Sequence, residues 1–147
     1  MQQNMIQKFQ RDITQKISLN EDNCIVLTAV LKDIVHDIFV EFTIEPEHLE
    51  IINVMVEFNQ SPTIYCCKIE EKMKGFIGVK IEPGLTKAIF KILGGKEGCG
   101  NLLTLVMSLL PLAVNAKAAA GLETNEEIME AIKGKLTGTC VGYPEID

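Results

Sequence analysis

The stretch from Gly94 to Gly121, GGKEGCGNLLTLVMSLLPLAVNAKAAAG, constrains this chain more than any other. A glycine-rich loop runs into a segment in which no residue between Asn101 and Ala116 is charged. A helix apolar on most of its faces has to be covered, by other elements or by lipid. Pro111, Asn115 and Lys117 fall inside the run, and the uninterrupted apolar part is too short to cross a bilayer. The expectation is therefore a core helix from about residue 101 to 120, closed by Gly121, with no membrane partner.

The elements that would cover it are legible upstream. Residues 24–31, CIVLTAVL, form a β-branched run and predict a strand. Ile38, Val40, Phe42 and Ile44 alternate with Asp37, Glu41 and Thr43, which is the period of a half-buried strand. Pro46 marks a turn, and residues 49–58 read as a third strand paired antiparallel with the second, because so short a link excludes a parallel crossover. The period then changes. Ser61-Pro62 signals a helix start, and Tyr65, Ile69, Met73 and Phe76 fall on one helical stripe. Leu85, Ala88, Ile89 and Ile92 predict a second amphipathic helix, stopped by Gly94-Gly95. Thr124 with Glu127 predicts a capping box opening a short helix that ends near Lys133. The reading is one α+β domain over residues 21–147, a three-stranded antiparallel sheet followed by helices packed on one face, after a polar lead-in at residues 1–20.

Length and charge bound the function classes. A chain of 147 residues can bury a proper core. A formal charge of −6 argues against nucleic acid, which calls for a basic stripe. No apolar segment suggests a signal peptide in residues 1–20, so the expected location is cytoplasmic. In that reducing setting five cysteines read as thiols or metal ligands and not as disulfides.

Cys99 holds the chemically most informative place. It precedes the apolar helix between Gly98 and Gly100, where free backbone N–H groups and the helix dipole favour a thiolate. The alternative is a small buried filler, and position alone weighs the two equally. Cys66 lies in the first turns of the helix expected after Pro62, beside its apolar stripe; Cys67 points further round. Taken alone, each is more readily a packed thiol. His36 opens the second strand next to Asp37, and Cys140 sits in a glycine-rich tail, where surface roles are the plainer reading. No CxxC pair, phosphate-binding loop, GxSxG or HExxH is present.

Together these residues resemble a bacterial family of uncharacterised proteins, a domain of unknown function. The matching pieces are His36-Asp37, Pro62-x-x-x-Cys66, the segment from Gly75 through Gly78 to Pro83-Gly84, and Gly94-Gly95 followed by Gly98-Cys99 and Leu102. The family pattern reads Gly-Cys-Thr-His-Leu at the last of these, so its histidine is Asn101 here. Thr139-Cys140 resembles a further cysteine of the family. The architecture is also similar to iron–sulfur scaffold proteins of the IscU and NifU class. That likeness implies that Asp33 or His36, Cys66 and Cys99 converge at one end of the sheet.

Three functions follow as expectations. In the first, His36, Cys66, Cys99 and Cys140 ligate zinc or an iron–sulfur cluster. In the second, Cys99 is the nucleophile of a thiol enzyme with His36 as base. In the third, the cysteines are packed and the chain is an interaction domain with a protein partner. Covering the apolar helix with a second copy makes a homodimer one way to complete the core.

Overall fold

A computed structural model of the chain describes residues 8–146. Four strands form one antiparallel sheet in the order of the chain: β1 (Asp12–Leu19), β2 (Ile25–Lys32), β3 (Asp37–Glu45) and β4 (Glu50–Gln60). The alternation in the sequence sets the faces. Ile25, Leu27, Ala29 and Leu31 of β2 stand opposite Ile44, Phe42, Val40 and Ile38 of β3, and all eight are essentially inaccessible to solvent. A slip of one residue would turn this whole layer outward, so burial fixes the register.

The expected sheet had three strands; it has four. Residues 12–19, read as part of a polar lead-in, are β1, paired along its whole length with β2. Ile13, Ile17 and Leu19 sit opposite Leu31, Leu27 and Ile25 on the helix-side face, yet all three are exposed. On that face only Gln15 interrupts the apolar alternation; it is the strand's half-buried residue and donates to Ser108 Oγ on the helix side. The register of β1 comes from the turn that follows. The Asn20 side chain accepts the N–H groups of Asp22 and Cys24, and Asn23 takes φ 61°, a conformation asparagine tolerates better than most residues.

The helices follow. A 3₁₀ turn at Cys66–Lys68 leads into α1 (Ile69–Met73) and a second 3₁₀ turn at Lys74–Phe76. Ser61 does not cap this helix: its hydroxyl donates to the Thr63 carbonyl, and the helical turns begin five residues after Ser61. Ile69, Met73 and Phe76 are buried as their spacing predicts, whereas Tyr65, placed on the same stripe, is exposed. Phe76 packs edge-on against Phe42, with ring centroids 5.5 Å apart. Gly78 to Ile81 then runs along the start of β4. Ile51 donates to the Val79 carbonyl, and Gly78 and Ile81 donate to the carbonyls of Ile51 and Leu49.

After α2 (Leu85–Leu93) the apolar run is two helices, not one. Pro111 has no N–H to continue the ladder, so α3 (Gly100–Leu109) ends before it and α4 (Leu112–Ala119) begins after it. Leu102, Leu105, Val106 and Leu109 of α3 are fully buried, and α3 packs against β2 and α2. The segment Gly100–Ala119 is long and apolar enough to cross a membrane by length and composition. Its first half is built into the core beside the sheet.

The chain divides into two compact units, Met1–Ala113 and Val114–Asp147. The second contains most of α4 and all of α5 (Asn125–Leu136). The predicted capping box is present: Thr124 Oγ1 accepts the N–H of Glu127, whose carboxylate accepts the N–H groups of Glu123 and Thr124. Those bonds, Glu123 first, lower the Glu127 pKa.

Candidate functional site

Two structures meet near the start of α3, both within the first unit. One is a cleft of about 560 Å³, lined by Thr63, Tyr65, Cys66, Lys68, Ile69, Lys72, Lys96, Glu97, Gly98 and Cys99. The other is a polar network around the inaccessible carboxylate of Asp33.

The chain enters the cleft through a loop with little freedom. Cys99 donates its N–H to the Leu93 carbonyl at 3.0 Å, which folds residues 94–98 back onto the end of α2. A Cβ at Gly98 would lie 1.9 Å from that carbonyl oxygen, so only glycine passes. Cys99 is the N-cap of α3, with extended backbone and its carbonyl accepting from Leu103. Cys66 opens the first 3₁₀ turn across the cleft, its sulfur 3.7 Å from Thr63 Oγ1. Its neighbour Cys67 is exposed, bonds the Ile64 carbonyl and does not line the cleft. Cys66 and Cys99, both half-buried, thus share one cavity although an entire helix pair separates them in sequence.

The polar network begins in the link between β2 and β3. The Asp33 side chain is 0% exposed. Its carboxylate accepts from the backbone N–H groups of Val35 and His36, from His36 Nδ1 at 2.9 Å, and from Arg11 Nε and a terminal guanidinium nitrogen at 2.9 and 2.8 Å. Burial alone would raise its pKa. The bonds from Val35, His36 and Arg11 outweigh burial and hold the carboxyl far below the usual carboxylate range. Beyond the ring, His36 Nε2 lies 3.1 Å from Asn101 Nδ2. The chain of contacts Arg11–Asp33–His36–Asn101 thereby ties the start of β1 and the β2–β3 link to the first turn of α3, two residues beyond Cys99.

The four predicted site residues are therefore distributed. Cys66 and Cys99 come together at the cleft. His36 reaches the same end of α3 but is engaged on both ring nitrogens. Cys140 is exposed in the second unit. Among the described residues, the group of three or more side chains compact enough for a metal is Glu45, Glu47 and His48, in the turn between β3 and β4. The ligand atoms of His36, Cys66 and Cys99 are not gathered in that way. Arg11 was not a candidate in the sequence. Its partner lies 22 residues away, and a lone arginine beside a polar strand carries no local signal.

The family model described as "Protein of unknown function (DUF2889)" matches residues 9–115, and the chain belongs to that family. The match takes in Arg11, the Asp33 network and the whole cleft, and it ends before Cys140. No curated protein and no solved structure matches the chain.

Proposed function

We propose that this family member acts through the Cys66–Cys99 cleft as a thiol-dependent protein that exchanges bonds with a small disulfide ligand. The observation that carries the reading is that two thiols from separate elements line one open cavity large enough for a small molecule. The Cys99 thiolate attacks one sulfur of the ligand, the ligand S–S bond breaks, and one ligand thiolate leaves. Cys66, deprotonated to solvent, then attacks the Cys99 mixed disulfide and releases the second ligand thiolate. The ligand gains two electrons, the Cys66–Cys99 pair loses two, and an external thiol restores the pair. His36 is not the base in this scheme, because Asn101 occupies its Nε2. Its role is to hold the first turn of α3, and with it Cys99.

The test uses the reduced full chain and a small aromatic disulfide. Native protein should release about two equivalents of thiol in a fast phase, one per exchange step. Cys66→Ser should stop at a mixed disulfide on Cys99, visible by mass spectrometry, and Cys99→Ser should lose the fast phase. Comparable slow reaction at all five cysteines would end this reading.

A metal centre is the second reading, and one observation favours it. A carboxylate on Nδ1, as Asp33 is on His36, is how metal-binding imidazoles are oriented. Zinc or an iron–sulfur cluster on Cys66, Cys99 and His36 would require Asn101 to leave Nε2. Tight zinc binding lost in both Cys66→Ser and Cys99→Ser would support it; less than roughly 0.1 equivalent bound to native protein would count against it.

A further inference from the structure

We propose that the ligand of the cleft is an anion, a small disulfide bearing carboxylate or other negative groups; the inference rests on Cys99 being the reactive thiol. Three of the lining residues are lysines, Lys68, Lys72 and Lys96, and Glu97 is the single carboxylate among them. That local excess of positive charge occurs in a chain whose formal charge is −6. Glu97 is spoken for: its carboxylate lies 3.7 Å from Lys72 Nζ. Lys68 and Lys96 have no carboxylate partner among the described residues. Lys68 is nonetheless positioned, with Nζ 5.0 Å from the centroid of the Tyr65 ring, itself a wall of the cleft.

Two ammonium groups beside two thiols act in one direction on a charged ligand. They raise the local concentration of an anion and lower that of a cation, and salt weakens both effects. A cationic ligand, or a bound divalent ion, would meet repulsion from the same residues. The cavity is open enough to take a ligand of several heavy atoms.

Methanethiosulfonate reagents that differ only in the charge of the transferred group test this directly. In each case the Cys99 thiolate attacks the sulfenyl sulfur, a disulfide forms, and methanesulfinate leaves with the bonding pair; the thiol proton goes to solvent. Rates at Cys99 are read by mass spectrometry on the reduced full chain and normalised to a small thiol. The sulfonate-bearing reagent should react roughly fivefold to tenfold faster than the trimethylammonium reagent, with the neutral methyl reagent between them, as expected for a focused field. The preference should fall toward unity as salt is raised. Lys68→Gln with Lys96→Gln should abolish it while leaving the neutral reagent's rate within about twofold. Equal rates for the three reagents at a selectively labelled Cys99 overturn the anion and leave the thiol reading standing. A charge preference that survives the double lysine variant also overturns it. Labelling in which no reagent selects Cys99 over Cys67 and Cys140 overturns the thiol reading and this inference with it.

Discussion

The two links that flank β3 carry the same local motif and come to different ends. Before the strand, Asp33 accepts the N–H groups two and three residues ahead and pairs with the His36 ring. After it, Glu45 accepts the N–H groups of Glu47 and His48 and lies 3.7 Å from the His48 ring. An acid with a histidine three residues on is thus a turn device, and local sequence supplies both copies. What separates them is the rest of the fold. Asp33 is covered, clamped by Arg11 and continued through His36 to Asn101 on α3. His48 stays mostly exposed, with 59% of its side chain accessible. A buried carboxylate with several charge-assisted partners is a commitment of the tertiary structure; a half-buried one beside an exposed histidine holds its turn with less at stake.

The largest effect should come from Asp33→Ala, which leaves the Arg11 guanidinium and His36 without their shared acceptor. It should lower the thermal midpoint more than any other single change in either link. Asp33→Asn separates charge from shape and should show its effect in the acid limb. The folded pKa of Asp33 is depressed below its ordinary value of 3.8, so its stabilising contribution is complete well above that pH and is lost as pH falls below it. Denaturant titrations between pH 6 and about 2 should therefore show a shallower acid decline in Asp33→Asn than in the native chain. An unchanged slope would mean that Asp33 is not the group responsible.

Smaller effects sharpen the contrast. Asn101→Ala removes one half-buried hydrogen bond and should cost about 1 kcal/mol, while slowing the reaction of Cys99 if the network positions the start of α3. Asn101→His should recover that positioning, because an imidazole can face His36 across the same gap; a Cys99 rate unchanged in both variants would reduce the network to a structural tie. At the far end of the scale, His48→Ala, at an exposed ring, should alter stability by less than about 0.5 kcal/mol. A larger loss would show that the second link is not the local device it is read as.

The same division between local and long-range information explains what the sequence disclosed. β2 and β3 were readable because burial on one face imposes a period of two, and the Thr124–Glu127 box because a cap is a local pattern. β1 escaped because an edge strand whose apolar side chains stay exposed needs few of them, and it keeps only Ile13, Ile17 and Leu19 in alternation, with Gln15 between them. The single long helix was over-read, since apolarity continues through Pro111 although the backbone ladder cannot. At the site, the placement of Cys66 and Cys99 at the starts of helical segments was visible, and the cavity brings them together. Arg11 was invisible, and Asn101 was noticed only as a departure from a family pattern. Its contact with His36 spans 65 positions, and nothing local announces it.

Gly98 and Gly100 flank the same cysteine but would tolerate change differently. At Gly98 the Leu93 carbonyl occupies the space of any side chain, whereas a Cβ at Gly100 meets nothing within 4 Å. A library that varies both positions and is sorted first for folded protein should empty of every residue but glycine at 98 before any activity is assayed. Position 100 would pass that first sort nearly unfiltered. Whatever bias it then acquires under a functional screen records what the ligand requires of the backbone beside Cys99, free of what the fold requires.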